Sequence, residues 1–307
     1  MPHDVLVALV IFAVGLAAGT INSVVGSGTL ITFPTLLALG YPPVLANVSN
    51  NIGLVPGVAS GVHGYRAELA GQRRRMIRLG SASLCGGLVG AILLLVLPAR
   101  AFKDIVPALI GIALAMIIFQ PRLARWMAAR QLARDRAAGK PDRGGAGPVV
   151  FNTEVFNTVV LGEGPVVGGG TVAGEGSVRV MAPATPAGPV QVGGPVLWVL
   201  VFLSGVYGGY FGAAQGVLLI GLMGVAFTET MQRINAVKNV LAGLVNGVAA
   251  LVFAAATRVD WGAAGLIACG AIIGGQIGAR IGRKLPPWAL RMLIICVGSA
   301  ALLKLLV

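Results

Sequence analysis

Ten apolar runs divide this chain, at about 4–25, 28–40, 43–63, 77–97, 104–119, 196–214, 216–227, 234–256, 262–279 and 287–306. Most approach the roughly 20 residues that an α-helix needs to cross the hydrocarbon core of a bilayer. Lipid offers the backbone no hydrogen-bond partner, so a crossing segment must satisfy its own N–H and C=O groups, which a helix does. The composition agrees: 56% of the residues are hydrophobic and 11% charged, against about 25% charged in an ordinary soluble domain. A soluble enzyme with a water-facing skin is excluded. The N-terminal stretch MPHDVLVALVIFAVGLAAG has no basic start and outruns a signal peptide, so a retained membrane segment is expected.

Two runs, 28–40 and 216–227, are too short to cross alone, and each follows a glycine-rich break: Gly26-Ser27-Gly28 before the first, Gly208-Gly209 through Gly212 and Gly216 before the second. Each reads as a broken hairpin, with one helix in, an unwound turn and a half-helix back. The two halves repeat. Gly15, Gly19, Asn22 and Gly26 align with Gly205, Gly209, Gly212 and Gly216 at an offset of 190, and Asn47-Val-Ser-Asn-Asn51 aligns with Asn235-Ala-Val-Lys-Asn239 at 188. Internal repeats of this kind are common in secondary transporters. The expected fold is an all-α polytopic membrane protein of two inverted repeats, residues 1–120 and 195–307, each a broken hairpin plus about three transmembrane helices. Between them, 121–194 holds a basic segment and a soluble insert. The basic stretch 120–145, with WMAARQLARDRAA, suits a helix lying on lipid headgroups. Residues 146–194 are rich in Gly, Val and Pro, which fits short strands or a flexible linker. Gly168-Gly169-Gly170 lacks the Lys-Ser/Thr of a phosphate loop.

The net charge is +13. The arginines cluster without interleaved aromatic residues, which points to the positive-inside rule and away from nucleic acid. Arg66, Arg73, Arg74, Arg75 and Arg78, and the 120–145 segment, are therefore expected in the cytoplasm. Arg280, Arg283 and Lys284 fall on the same side only if the halves are inverted, which leaves both termini outside. The expected location is the plasma membrane. Cys85, Cys269 and Cys296 lie in apolar runs and are expected to act as small buried hydrophobes, with no disulfide framework or metal site.

The ten acidic residues all fall in loops, at span ends or in the insert, and His3 and His63 sit far apart in sequence at run ends. Catalytic triads, paired carboxylates and metal clusters are unsupported, so neither an enzyme nor a cofactor is expected. What remains is neutral polarity and one buried cation. Asn22, Asn47, Asn50, Asn51, Gln215, Asn235, Asn239 and Asn246 interrupt apolar runs, where an amide must find a partner or a ligand. Asn235, Lys238, Asn239, Ala242 and Asn246 share one helix face. Lys238 is either a snorkelling anchor or the positive partner of an anionic substrate. Helix N-termini at the glycine breaks favour the anion, because they present free N–H groups and a positive dipole end.

The stretch GTINSVVGSGTLITFPTLLALGYPPVLANVSNNIGLVPGVASG resembles the opening of the sulfite exporter TauE/SafE family, on Gly15, Gly19, Asn22, Gly26, Gly28, Pro34, Pro42, Pro43, Ala46, Asn47, Asn50 and Gly61. GVYGGYFGAAQGVLLIGLMG followed by NAVKNVLA resembles its second repeat, although Ala213-Ala214-Gln215-Gly216 stands where the family usually has a glycine-rich run. The resemblance implies a secondary transporter of sulfite or related sulfur-containing organic anions such as sulfonates. The expected substrate site is Asn22, Gly26, Gly28, Asn47, Asn50, Asn51, Gln215, Asn235, Lys238 and Asn239. The expected partners are a small anion and the lipid bilayer, with self-association left open. An anion channel, or a membrane scaffold or assembly factor without transport, is the alternative.

Overall fold

A computed structural model describes residues 2–137, 193–227, 229–281 and 287–306. The 146–194 insert lies almost wholly outside them. Its helices are α1 Pro2–Val24, α2 Thr29–Ala38, α3 Pro43–Gly64, α4 Arg73–Val96, α5 Ala99–Ala137, α6 Pro195–Tyr210, α7 Gln215–Ala226, α8 Met231–Ala256, α9 Trp261–Ile281 and α10 Pro287–Leu306. The spans Asp4–Val24, Arg73–Val96, Arg100–Phe119, Gln232–Ala256 and Trp261–Arg280 are long and apolar enough to cross a membrane. The basic 120–137 stretch continues α5 without a break.

The outside of the bundle is greasy, and the apolar inside holds a set of polar residues. Leu84, Leu88, Val89, Ile92 and Leu93 on α4, and Leu251 on α8, are exposed, while Asn47, Asn50, Lys238 and Asn239 are buried. A patch of that size on a soluble protein would aggregate, but lipid tails are as apolar as leucine. For the same reason the cysteine expectation fails: Cys85, Cys269 and Cys296 are all exposed. An apolar run specifies depth in the membrane and not the side of the helix that faces protein.

Packing follows an exchange between the halves. α1 packs on α9 as α6 packs on α4, α3 on α9 as α8 on α4, and α2 on α10 as α7 on α5; α3 packs on α8, its own counterpart. Small residues allow these approaches. A Cβ on Gly15 would lie 2.8 Å from the Ile267 carbonyl oxygen, and one on Gly205 would lie 3.1 Å from the Gly86 Cα.

The structure shifts the repeat register by one helical turn in the first hairpin. α3 and α8 begin at 43 and 231, and α4 and α9 at 73 and 261, so 188 holds there. Gly19 packs on Ala271 and Gly205 on Ser83, two positions that are themselves 188 apart. Gly19 therefore corresponds to Gly205, at an offset of 186 and not 190. The helix-stopping glycines agree: Gly26, φ +83°, ends the first helix and Gly212, φ +79°, the second. Glycines spaced four apart match themselves when slid by one turn, so the sequence alone left two registers.

The two breaks meet. The Gly216 N–H donates to the Gly26 carbonyl at 3.2 Å, and a Cβ on either glycine would lie 2.6 Å from the Cα of the other. Gly216→Ala should therefore cost about 1–3 kcal/mol through overpacking. Gly247→Ala, which faces open space, should be neutral or stabilising by up to about 1 kcal/mol. Thermal unfolding of the purified variants checks this; equal midpoints would show that the breaks are not tightly joined.

Candidate functional site

Each first helix ends because a glycine turns the chain into the left-handed region. The Val25 and Gly26 N–H groups both return to the Ile21 carbonyl, at 2.7 and 3.0 Å, and the Phe211 and Gly212 N–H groups to that of Tyr207, at 3.0 and 3.2 Å, a C-terminal stop in the Schellman manner. In the second break Ala214 also takes φ +57°, a conformation that costs a residue with a Cβ roughly 1 kcal/mol or more. The Tyr207 hydroxyl holds that turn by donating to the Ala213 carbonyl at 2.5 Å.

Broken backbone inside a membrane protein must be bonded from the side, and the asparagines do this across the repeat boundary. Asn47, near the start of α3, donates through Nδ2 to the Tyr210 carbonyl at 3.0 Å. Its counterpart Asn235, near the start of α8, donates through Nδ2 to the Ser23 carbonyl at 3.0 Å. Each half thus caps the last turn of the other half's first helix. Asn22 accepts from the Gly28 N–H through Oδ1 at 3.3 Å, which fixes the first turn from within.

Asn50 and Lys238 occupy corresponding positions with different chemistry. Asn50 accepts from the Thr32 hydroxyl and donates to Thr29 Oγ1 at 3.4 Å, tying α3 to α2. Lys238 is fully buried, so the snorkelling alternative does not hold. Its Nζ donates to the Asn22 carbonyl at 3.0 Å and would be 3.3 Å from a Cβ on Gly26. No carboxylate among the described residues pairs with it. An ammonium has three donors, and burying an unpaired one costs several kcal/mol.

Asn22, Gly26, Gly28, Gly216 and Lys238 are thus one assembly, joined to Asn235 through α1. Among the described residues, six buried polar atoms without partners lie on the same segments, Ser27 Oγ, Asn47 Oδ1, Asn51 Oδ1, Gln215 Nε2, Asn235 Oδ1 and Asn239 Nδ2, and three more lie on α4 and α6, Ser83 Oγ, Ser204 Oγ and the Tyr210 hydroxyl. Buried polar groups are ordinarily satisfied, so this concentration marks a place suited to a polar ligand. Ser27, which is 1% exposed, was missed by the sequence reasoning, though it stands between two glycines of the quoted break. Gln215 packs its side chain against Gly208, and Asn51 and Asn239 are buried on α3 and α8.

A second buried cation was also missed. Arg75 belongs to the arginine-rich loop of the sequence reading, yet it is only 1% exposed. It donates to Gln72 Oε1 and to Glu229 Oε1, the latter at 3.2 Å, and its guanidinium sits 3.9 Å over the Phe227 ring. Arg233 donates to the other Glu229 oxygen at 2.8 Å. No spacing pattern distinguishes Arg75 from Arg73 and Arg74.

These features define a polytopic α-helical membrane protein with a polar, cationic junction between two broken hairpins. The chain belongs to the sulfite exporter TauE/SafE family, whose model matches residues 11–305. It is 30% identical over 120 residues to a probable membrane transporter protein of Haemophilus influenzae, covering 37% of this chain and 45% of that one. It is 29% identical over 106 residues to the probable membrane transporter protein ORF9 of a Sinorhizobium species (34% and 40% covered). It is also 29% identical over 120 residues to the probable membrane transporter protein YfcA of Escherichia coli K12 (37% and 42% covered). Each alignment spans less than half of the relative. No solved structure shows a significant match.

Asn47→Ala and Asn235→Ala should each cost about 1–3 kcal/mol, because each strands a buried carbonyl. The double variant should be additive within about 0.5 kcal/mol, since the two bonds share no residue and join different pairs of helices. Denaturation midpoints in detergent check this; strong coupling would mean that the two caps act as one unit.

Proposed function

We propose that the chain is a secondary transporter of sulfite or related sulfur-containing organic anions such as sulfonates, acting in the plasma membrane by alternating access. The observation that carries this reading is Lys238, buried at the meeting of the two breaks with no carboxylate among the described residues beside it. An anion supplies the charge that offsets the desolvated ammonium. Ser27 Oγ, Gln215 Nε2 and Asn239 Nδ2 are donors available to its oxygens, and a cation would meet the ammonium with repulsion. The choice of sulfur anions comes from the family. The tight Gly26–Gly216 contact favours a carrier over an open channel.

The halves are read as inverted. Tyr41, before α3, lies against Asp260, after α8, while Gln72, after α3, bonds the Arg233 carbonyl near the start of α8. The corresponding helices α3 and α8 therefore run antiparallel. Arg280 lies at the same end as the 66–78 arginines, since Gly64 at the end of α3 packs on Ala279 near the end of α9; Arg283 and Lys284 lie outside the described residues. That end is assigned to the cytoplasm.

Purified protein in proteoliposomes should move sulfite or a sulfonate saturably and with counter-transport, and should not move chloride or a neutral solute. Lys238→Met keeps the volume and removes the charge, so it should cut the flux at least about tenfold, the loss of a charge-assisted contact, with a thermal midpoint that does not fall, since a desolvated charge is removed. Equal flux in that variant would remove Lys238 from the site; non-saturating flux would favour the channel.

A further inference from the structure

α8 spans 26 residues, about 39 Å, and is tied to the other half at both ends. At its N-terminal end Arg75 of α4 and Arg233 of α8 hold the two oxygens of Glu229, at 3.2 and 2.8 Å. Gln72 bonds Arg75 and reaches the Arg233 carbonyl at 3.4 Å, and Arg233 also donates to the Ala70 carbonyl at 3.2 Å. At the other end of α8, the Tyr41 phenol faces the Asp260 carboxylate. Asp260 accepts from the Ala263 N–H at 2.8 Å, and its own N–H donates to Ser49 Oγ at 3.0 Å.

These two ties occupy corresponding positions. Under the 188 offset that aligns α3 with α8 and α4 with α9, Tyr41 corresponds to Glu229 and Gln72 to Asp260. Each tie joins the loop before the asparagine-bearing helix of one half to the start of the following helix of the other. The partners are exchanged, because the carboxylate comes from the loop before α8 in one tie and from the start of α9 in the other. Neither pair touches the glycine breaks, which lie between them along α3 and α8.

We propose that Arg75–Glu229–Arg233 and Tyr41–Asp260 are the two gates of the transport cycle, one at each membrane face, and that they are unequal by design. The gating role rests on the transport reading above; the placement of the pairs does not. Alternating access needs the halves to part at one end while they stay joined at the other. Pairs that cross the boundary between halves are the contacts such a motion must break. The first gate holds a carboxylate by two charged donors with a cation–π contact behind one of them; the second uses a neutral phenol as donor. Two guanidinium groups add charge–charge attraction to the Glu229 carboxylate that one uncharged phenol does not give Asp260, so the Tyr41–Asp260 end opens more readily.

The test reads access without any substrate. The three native cysteines are replaced by alanine and Ser27→Cys is introduced as a reporter between the gates. Labelling by a membrane-impermeant maleimide is followed from each face of proteoliposomes that hold the full chain in one orientation. Glu229→Gln should raise labelling from the face that carries Arg75 by about tenfold, the effect of losing a charge-assisted bond. Tyr41→Phe should raise it from the opposite face by a smaller factor. If Glu229→Gln does not fold, Glu229→Asp keeps the charge, shortens the reach and should act in the same direction. Unchanged labelling in both variants, or a rise from the same face in both, overturns the assignment. Altered access without sulfur-anion flux would keep the gates and reject the proposed substrate; flux with unaltered access would do the reverse.

Discussion

The contact between Gly26 and Gly216 is the constraint on which the rest of the structure depends. A helix that stops inside a bilayer leaves N–H and C=O groups that lipid cannot satisfy. Here one break supplies what the other lacks, through the Gly216 N–H and the Gly26 carbonyl. The approach is possible because neither residue has a Cβ. Once the breaks are joined, α3 and α8 must cross beside them, and Asn47 and Asn235 reach the last turns of the opposite first helices. The membrane forces the pairing, and the pairing puts polar groups in the middle of an apolar bundle.

Those polar groups are only partly satisfied, and the shortfall lies where function is expected. Asn50 completes its bonds with Thr29 and Thr32, whereas its counterpart Lys238 has a single backbone acceptor. The two halves are therefore alike in framework and different in charge. The asymmetry continues at the ends of the bundle, where Glu229 meets two guanidinium groups while Tyr41 meets one carboxylate. At that second end burial, and then the charge and hydrogen bonding of Asp260, raise the pKa of the Tyr41 phenol, so it stays protonated and serves as a donor. A symmetric chain would have no reason to rest in one state.

Much of this was legible in the sequence. The helices fall where the apolar runs stand, because a segment of about 20 uncharged apolar residues has few other solutions. Lys238 stood out as a lone charge in such a run, which left snorkelling and burial both open until the structure buried it. The two breaks were readable because glycines interrupted runs too short to cross. Arg75 was not readable: it sits among other arginines, and only the arrival of Glu229 and Phe227 from the second half makes its burial affordable. The orientation of the cysteines was equally hidden, since lipid and protein interior look alike to an apolar side chain.

The sequence by itself determined an all-helical membrane protein of two related halves, the position of each break and a lone lysine within an apolar run. These are local properties of hydropathy, glycine spacing and isolated charge. Only the tertiary structure decided which turn of α1 corresponds to which turn of α6, because glycines four apart allow either register until Ala271 and Ser83 are seen beneath them. It also decided that the halves cap one another and that Arg75 is buried with Glu229. Those contacts join residues more than 150 positions apart, and no local pattern encodes a partner at that distance.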